Sequence, residues 1–188
     1  MPGKIFRLIA IGALVKTVMV VYATANNRPL ATVNSVDLNR YTGVWYEIAR
    51  LPNRFEKGCA ANVTATYRQQ SDGKIEVINQ CQKNNAQIKR SKGTAKVVDN
   101  AGNAKLKVTF FWPFYGDYWI LDLGKNYEYA VVGEPSRKYF WILSRTPQIE
   151  EGLYQTLLSR MSAQGFDTNS VVKTQQTEPL KTTETPTR

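Results

Sequence analysis

The chain has 188 residues, with 25 Lys and Arg against 15 Asp and Glu, no histidine and two cysteines. Without histidine there is no Ser-His-Asp triad, no Cys-His dyad and no histidine-ligated zinc or haem, and two cysteines are too few for a four-sulfur metal site. The length suits one domain with terminal extensions, and the formal charge of +10 raises nucleic acid and anionic membrane surfaces as partners.

Residues 1–25 read as a secretory signal. Lys4 and Arg7 precede an apolar run from Leu8 to Val15, Thr17 to Tyr22 continue it, and Ala23-Thr24-Ala25 is a small-x-small cleavage site. Lys16 interrupts the run, and the alternative is an uncleaved membrane anchor. Setting aside Lys4, Arg7 and Lys16 leaves 22 cationic against 15 acidic side chains, a balance of +7. Residues 26–36 form a lead-in and 37–175 the domain. Residues 176–188 carry Thr, Pro, Glu and Lys around one apolar residue, Leu180, and are expected to be a disordered tail.

Eight β-patterned runs follow one another with short turn signals between them: Gly43–Leu51, Ala61–Arg68, Ile75–Cys81, Ile88–Val98, Ala104–Phe111, Asp117–Leu123, Tyr127–Gly133 and Tyr139–Arg145. Ser71-Asp72-Gly73 and Asp99-Asn100-Ala101-Gly102-Asn103 are turn sequences. Links this short join antiparallel neighbours, and an eight-stranded meander closes into an up-and-down barrel. One helix is expected next, with Thr146 as N-cap and Pro147 at its first position. Ile149, Leu153, Leu157 and Met161 would form its apolar face, and Gly165 its C′ residue. Ser170–Gln175 is a candidate for a last short strand.

A register pairing Ala65 with Ile75 and Val63 with Val77 also sets Cys59 opposite Cys81 on one face, so an exported chain would form that disulfide; two buried thiols are the alternative. The same parity assigns an interior. Leu106, Val108 and Phe110 alternate with polar neighbours. Val63, Ala65, Tyr67, Ile75, Val77 and Asn79 share one side of the first hairpin. Tyr118, Ile120, Ala130, Val132, Tyr139, Trp141 and Leu143 continue the set, with Trp45, Glu47 and Ala49 in the first strand. Phe140 and Ile142 would meet the helix. Such an interior is either a filled core or a cavity for a small apolar ligand. An inward Glu47 is a candidate acid or base, or the partner of a nearby cation. Phe55, Trp112, Phe114 and Tyr115 fall in connections near Lys57, where they would gate a mouth, touch a membrane or support a homodimer. Lys89, Arg90 and Lys92 read as a solvated edge strand, which needs no nucleic acid to explain it. Asn62-Val63-Thr64 matches an N-glycosylation pattern within a strand.

Tyr41-Thr-Gly-Val-Trp-Tyr-Glu-Ile-Ala-Arg50, Asn126-Tyr-Glu-Tyr-Ala130 and Leu143-Ser-Arg-Thr146 resemble, in order, the three conserved segments of the lipocalin family. Phe111-Trp-Pro-Phe-Tyr-Gly116 resembles its bacterial outer-membrane branch, which is related to apolipoprotein D. The resemblance covers roughly residues 37–175. It implies an eight-stranded antiparallel calyx with one helix on its wall, and Gly43, Trp45 and Arg145 at the closed base. It further implies an apolar ligand, a fatty acid or lysophospholipid; the inward parity set and the mouth aromatic supply its candidate contacts, Trp45, Glu47, Ala49, Phe55, Val63, Ala65, Tyr67, Val77, Asn79, Val108, Phe110, Tyr118, Ile120, Val132, Tyr139, Trp141 and Leu143. No cofactor and no catalytic residue is implied; rare family enzymes make an isomerase-like activity on a lipid the alternative function. Bacterial members carry a lipid-modified cysteine after the signal. None stands there in this chain, so an exported periplasmic or secreted form, peripheral to the outer membrane, is expected.

Overall fold

A computed structural model describes residues 28–98 and 102–177. The signal segment 1–25, residues 99–101 of the expected turn and the tail beyond 177 lie outside the described residues. A short helix, α1 (Leu38–Tyr41), precedes eight strands: β1 (Gly43–Arg50), β2 (Ala61–Gln69), β3 (Ile75–Gln82), β4 (Ile88–Val97), β5 (Lys105–Phe111), β6 (Phe114–Leu123), β7 (Tyr129–Gly133) and β8 (Phe140–Ser144). Helix α2 (Glu151–Ala163) and a two-residue strand, β9 (Val172–Lys173), follow. Consecutive strands pair antiparallel, and β1 closes the ring by pairing with both β2 and β8. The fold is an eight-stranded closed up-and-down barrel with one helix on its wall.

Two apolar layers organise it. Inside lie Trp45, Tyr67, Ile75, Val77, Ala95, Leu106, Ile120, Ala130, Val132 and Leu143, capped at one end by Val36 and Tyr41. Outside, Ile48, Leu121, Val131, Phe140 and Ile142 meet Tyr154, Leu157 and Met161 of α2. Phe140 and Ile142 therefore face the helix, as their alternation with Trp141 and Leu143 predicts. The helix ends in a Schellman turn: Phe166 N–H donates to Met161 O, Gly165 N–H donates to Ser162 O, and Gly165 has a φ of +89°.

Local chemistry changed four expectations. The helix begins at Glu151 with Glu150 as N-cap. Thr146 is held in a turn instead, its Oγ1 donating to Gln148 O and its N–H to Ser144 Oγ. The β2–β3 register pairs Ala65 with Asn79 and Tyr67 with Val77, four residues from the expected one. An even shift preserves faces, so the inward set survives. The disulfide Cys59–Cys81 forms nonetheless, with 5.6 Å between its Cα atoms, because β2 is irregular between Ala61 and Thr64 and Ala60 N–H donates to Gln82 O. Strand β4 is an edge only in part: it pairs with β3 over Ile88–Ala95 but with β5 only over Thr94–Val97, so Lys89, Arg90 and Lys92 lie where it is paired on one side. Lys92 there forms an ion pair with Glu76 across the outer face.

The fourth change is in β1. Glu47 opposes Leu143 and Ala49 opposes Ile142, so Ile48 is an extra residue. Ala49, expected inward, lies in the helix-side layer. Arg50 opposes Trp141 and returns to the inner side. Pairing of β1 with β2 stops at Tyr46 and Thr64. Beyond that point the C-terminal segment fills the seam. Thr174 N–H donates to Ile48 O on one side, and Asn62 N–H donates to Gln175 O on the other. Gln176 Nε2 donates to both Glu47 O (2.8 Å) and Val63 O (2.9 Å). Gln176 and Thr177 thus belong to the barrel, whereas the composition placed them in the tail. Replacing Gln176 with Ala orphans two buried carbonyls, and we expect a loss of about 1–3 kcal/mol in denaturant unfolding. A change indistinguishable from zero would show that the seam is held by the backbone pairings alone.

Candidate ligand-binding calyx

The strand directions place one end of the barrel under α1 and the other under four connections: 51–60, 83–87, the β5–β6 turn and 134–139. The first end is sealed. Gly43, with a φ of +97°, brings the chain from α1 into β1, and Trp45 follows with its ring fully buried. Trp45 Nε1 donates to Tyr41 O at 2.8 Å. The Arg145 guanidinium lies 3.8 Å from the Trp45 ring centroid, a cation–π contact, and donates to Val44 O, Arg40 O and Tyr127 O. A Cβ at position 43 would come within 3.2 Å of Arg145 Nη1, so glycine also permits the close approach of the arginine.

Above this base three phenols meet. Tyr118 Oη is 2.8 Å from Tyr41 Oη and 2.9 Å from Tyr67 Oη. Burial pushes the Tyr67 phenol up to about 12 and raises Tyr41 and Tyr118 well above the ordinary tyrosine value. All three are neutral hydroxyls at physiological pH. Ile75, Val77, Leu106, Ile120, Val132 and Leu143 pack around them. Ala65, Val108, Tyr118 and Trp141 also pack on this inner layer but are only half-buried.

Near the other end a polar cluster interrupts the apolar wall. Glu47, 3% exposed, receives a short hydrogen bond from Thr174 Oγ1 and lies 3.1 Å from Arg50 Nη1. Glu56, from the 51–60 connection, accepts from Trp141 Nε1 at 2.7 Å and from Asn53 Nδ2, and lies 2.9 Å from Arg50 Nε without hydrogen-bond alignment. One arginine thus serves two carboxyl groups. Burial, and next the negative charge of Glu56, raise the Glu47 pKa well above the carboxylate range, against the Thr174 hydrogen bond and Arg50.

The mouth is aromatic. Phe55 packs edge-on against Tyr139 at 5.3 Å, and Tyr139 contacts Trp141. Phe110 lies over Gly93, where a Cβ would come within 2.7 Å of its ring. Phe111, Trp112 and Phe114 are 77%, 78% and 72% exposed at the β5–β6 tip, and Lys96 Nζ sits over the Tyr115 ring.

Of the residues selected from sequence, Trp45, Ala65, Tyr67, Val77, Val108, Tyr118, Ile120, Val132, Trp141 and Leu143 share the inner layer. Phe55, Phe110 and Tyr139 stand at the mouth, and Glu47 in the polar cluster. Asn79 is half-buried opposite Ala65. Val63 is buried beside the seam, and Ala49 faces the helix layer. Sequence reasoning missed Tyr41, which caps the barrel from outside the strands. It also missed Arg50, turned inward by the irregularity at Ile48, and Glu56, carried by a loop with no period to read.

The raised pKa of Glu47 has a definite sign in stability. The folded state keeps a proton that the unfolded chain releases near 4.5, so this contribution is complete below that value and is lost as pH rises through the folded-state pKa. Glu47→Gln removes the slope. Relative to the parent chain, the variant should gain stability in denaturant unfolding as pH rises above the unfolded-state value of 4.5. A pH-independent difference between the two chains would refute the assignment.

The fold and the base match known proteins. A model of the lipocalin-like domain matches residues 36–176. The outer membrane lipoprotein Blc of Vibrio cholerae is 42% identical over 146 residues, covering 77% of this chain and 85% of that protein. Apolipoprotein D of Macaca fascicularis is 32% identical over 149 residues, covering 74% of this chain and 77% of its own. Insecticyanin from the tobacco hornworm Manduca sexta superposes with a TM-score of 0.66 at 22% identity, over 80% of this chain and 86% of that one. With its Gly43, Trp45 and Arg145 base, its closed eight-stranded barrel and these relatives, the chain belongs to the lipocalin family.

Proposed function

We propose that the protein binds and carries small apolar ligands of the acyl-chain class, fatty acids or lysophospholipids, in the cell envelope. One observation carries this reading. Inward-facing Ala65, Val108, Tyr118 and Trp141 retain accessible surface although the strands that bear them are packed on both sides. Such surface is what a lumen lined by aliphatic and aromatic groups, sealed at Trp45 and open toward Phe55 and Phe110, would leave accessible. Each methylene transferred there from water contributes about 0.8 kcal/mol. The polar cluster does not need a substrate to explain it, since Glu47 and Glu56 have Arg50, Thr174, Trp141 and Asn53 as partners. Binding rather than turnover is therefore the reading, and export with peripheral attachment to the outer membrane is supported by the name of the Vibrio relative.

Delipidated protein should bind a fluorescent fatty acid, and solvent extraction of the native protein should release an acyl lipid detectable by mass spectrometry. Val108→Trp fills the lumen from β5 and should weaken binding by about tenfold or more with a small change in Tm. If the variant binds as the parent does, the ligand lies elsewhere.

The exposed tip Phe111, Trp112 and Phe114, with Lys96 beside it, Lys57 on a neighbouring connection and Lys89 at the start of β4, suits an anionic bilayer surface. Replacing Trp112 and Phe114 with Ser should abolish co-sedimentation with phosphatidylglycerol-containing vesicles while the calyx still binds fatty acid in solution. Unaltered sedimentation would exclude the tip, and a loss of dimer instead would reassign it to self-association.

A further inference from the structure

We infer that the floor of the calyx is a polar subsite for a hydroxyl group carried at the buried end of an otherwise apolar ligand. This rests on the acyl-binding reading above and specifies which acyl ligands are favoured. Tyr41, Tyr67 and Tyr118 bring three O–H groups together through two hydrogen bonds, 2.8 and 2.9 Å long. Each bond uses one hydrogen, so one phenolic hydrogen remains with no acceptor among the described residues. Tyr118, the middle member, is the half-buried one, whereas Tyr41 and Tyr67 are 3% and 6% exposed. The triad is therefore reached from the lumen through Tyr118.

A second polar atom stands on the same inner wall. Asn79 Oδ1 is buried with no hydrogen-bond partner among the described residues. Asn79 opposes Ala65, and two residues further down the same strand pair Val77 opposes Tyr67. A surplus donor and a surplus acceptor in an apolar enclosure each cost free energy unless a partner arrives. A hydroxyl has the chemistry for both, able to accept from a phenol and to donate to an amide oxygen.

The floor disfavours a carboxylate. Its cation, Arg145, lies beneath Trp45 and is committed to three backbone carbonyls and the indole face. The Trp45 N–H is committed to Tyr41 O. A charged end would be desolvated there without a counter-ion. The anionic end of a fatty acid belongs at the mouth, and a neutral oxygen belongs at the base. Phenylalanine at these three positions would fill the same space, so packing alone does not account for the hydroxyls.

The test compares dodecanoic, tetradecanoic and hexadecanoic acids with and without a terminal hydroxyl, by displacement of a fluorescent fatty acid from the full chain. The parent protein should bind at least one hydroxylated acid about three- to tenfold more tightly than its plain counterpart, the value of one or two buried hydrogen bonds. Tyr118→Phe and, independently, Asn79→Ala should each bring that ratio to about one or below, and thermal unfolding establishes that each variant is folded. If the parent binds every plain acid at least as tightly as its hydroxylated partner, or if the preference survives both substitutions, the inference is overturned. If neither kind of acid binds, the acyl-carrier reading itself fails, which is a different result from plain acids binding alone.

Discussion

The extra residue at Ile48 in β1 governs how this barrel closes. With one residue more than β8 can pair, the strand turns Ile48 and Ala49 together toward helix α2 and returns Arg50 to the inner side opposite Trp141. Two consequences follow from that local count. The helix gains the apolar wall against which Leu157 and Met161 pack. The upper half of β1 also separates from β2, and the chain's own C-terminal segment enters the gap. There it satisfies backbone groups of both strands through Thr174, Gln175 and Gln176. A barrel with an open seam would leave N–H and C=O groups unpaired beside apolar side chains, a cost that the C-terminal segment offsets with backbone and side-chain hydrogen bonds.

The same irregularity explains why a charged cluster sits near the mouth of an apolar calyx. Glu47 occupies an inward position by parity, and regular pleating would next bring Ala49 inward. The displaced register brings Arg50 instead, within 3.1 Å of Glu47, and Glu56 descends from the 51–60 connection to the same guanidinium. That connection is fixed from several sides: by the Cys59–Cys81 bridge, by Glu56 on Trp141, by Phe55 on Tyr139 and by Lys89 on the Phe55 carbonyl. The β5–β6 tip, in contrast, presents Phe111, Trp112 and Phe114 to solvent. The mouth thus has a tethered side and an exposed aromatic side.

Much of this was legible in the sequence because strands with one face inward impose a period of two. The alternation of Leu106, Val108 and Phe110 with Lys105, Lys107 and Thr109 is such a signal, and it located the inner layer. What parity cannot fix is a shift by an even number of residues. Ala65 against Ile75 and Ala65 against Asn79 both keep apolar faces together, and the second is correct. Nor does parity survive an inserted residue, which is why Ala49 was misplaced and Arg50 overlooked. The helix start failed for a different reason. Thr146 and Pro147 have the right chemistry for a cap, but Ser144 and Gln148 capture the threonine in a turn before the helix begins.

The two ends of the lumen divide polar chemistry between them, and this division constrains how any ligand lies. At the mouth, Lys57 and Lys89 supply positive charge near solvent, where an anion keeps part of its hydration, while Arg50 is engaged by Glu47 and Glu56. At the floor, Arg145 faces away beneath an indole and gives its donors to the carbonyls of residues 40, 44 and 127. What remains there is a set of neutral phenols whose burial makes ionisation unfavourable. Reversing a fatty acid in this lumen would place its carboxylate in the driest part of the protein and its methyl end in the charged mouth. Both changes are unfavourable, so for the acyl ligand proposed above the asymmetry of the barrel would set the polarity of the bound chain.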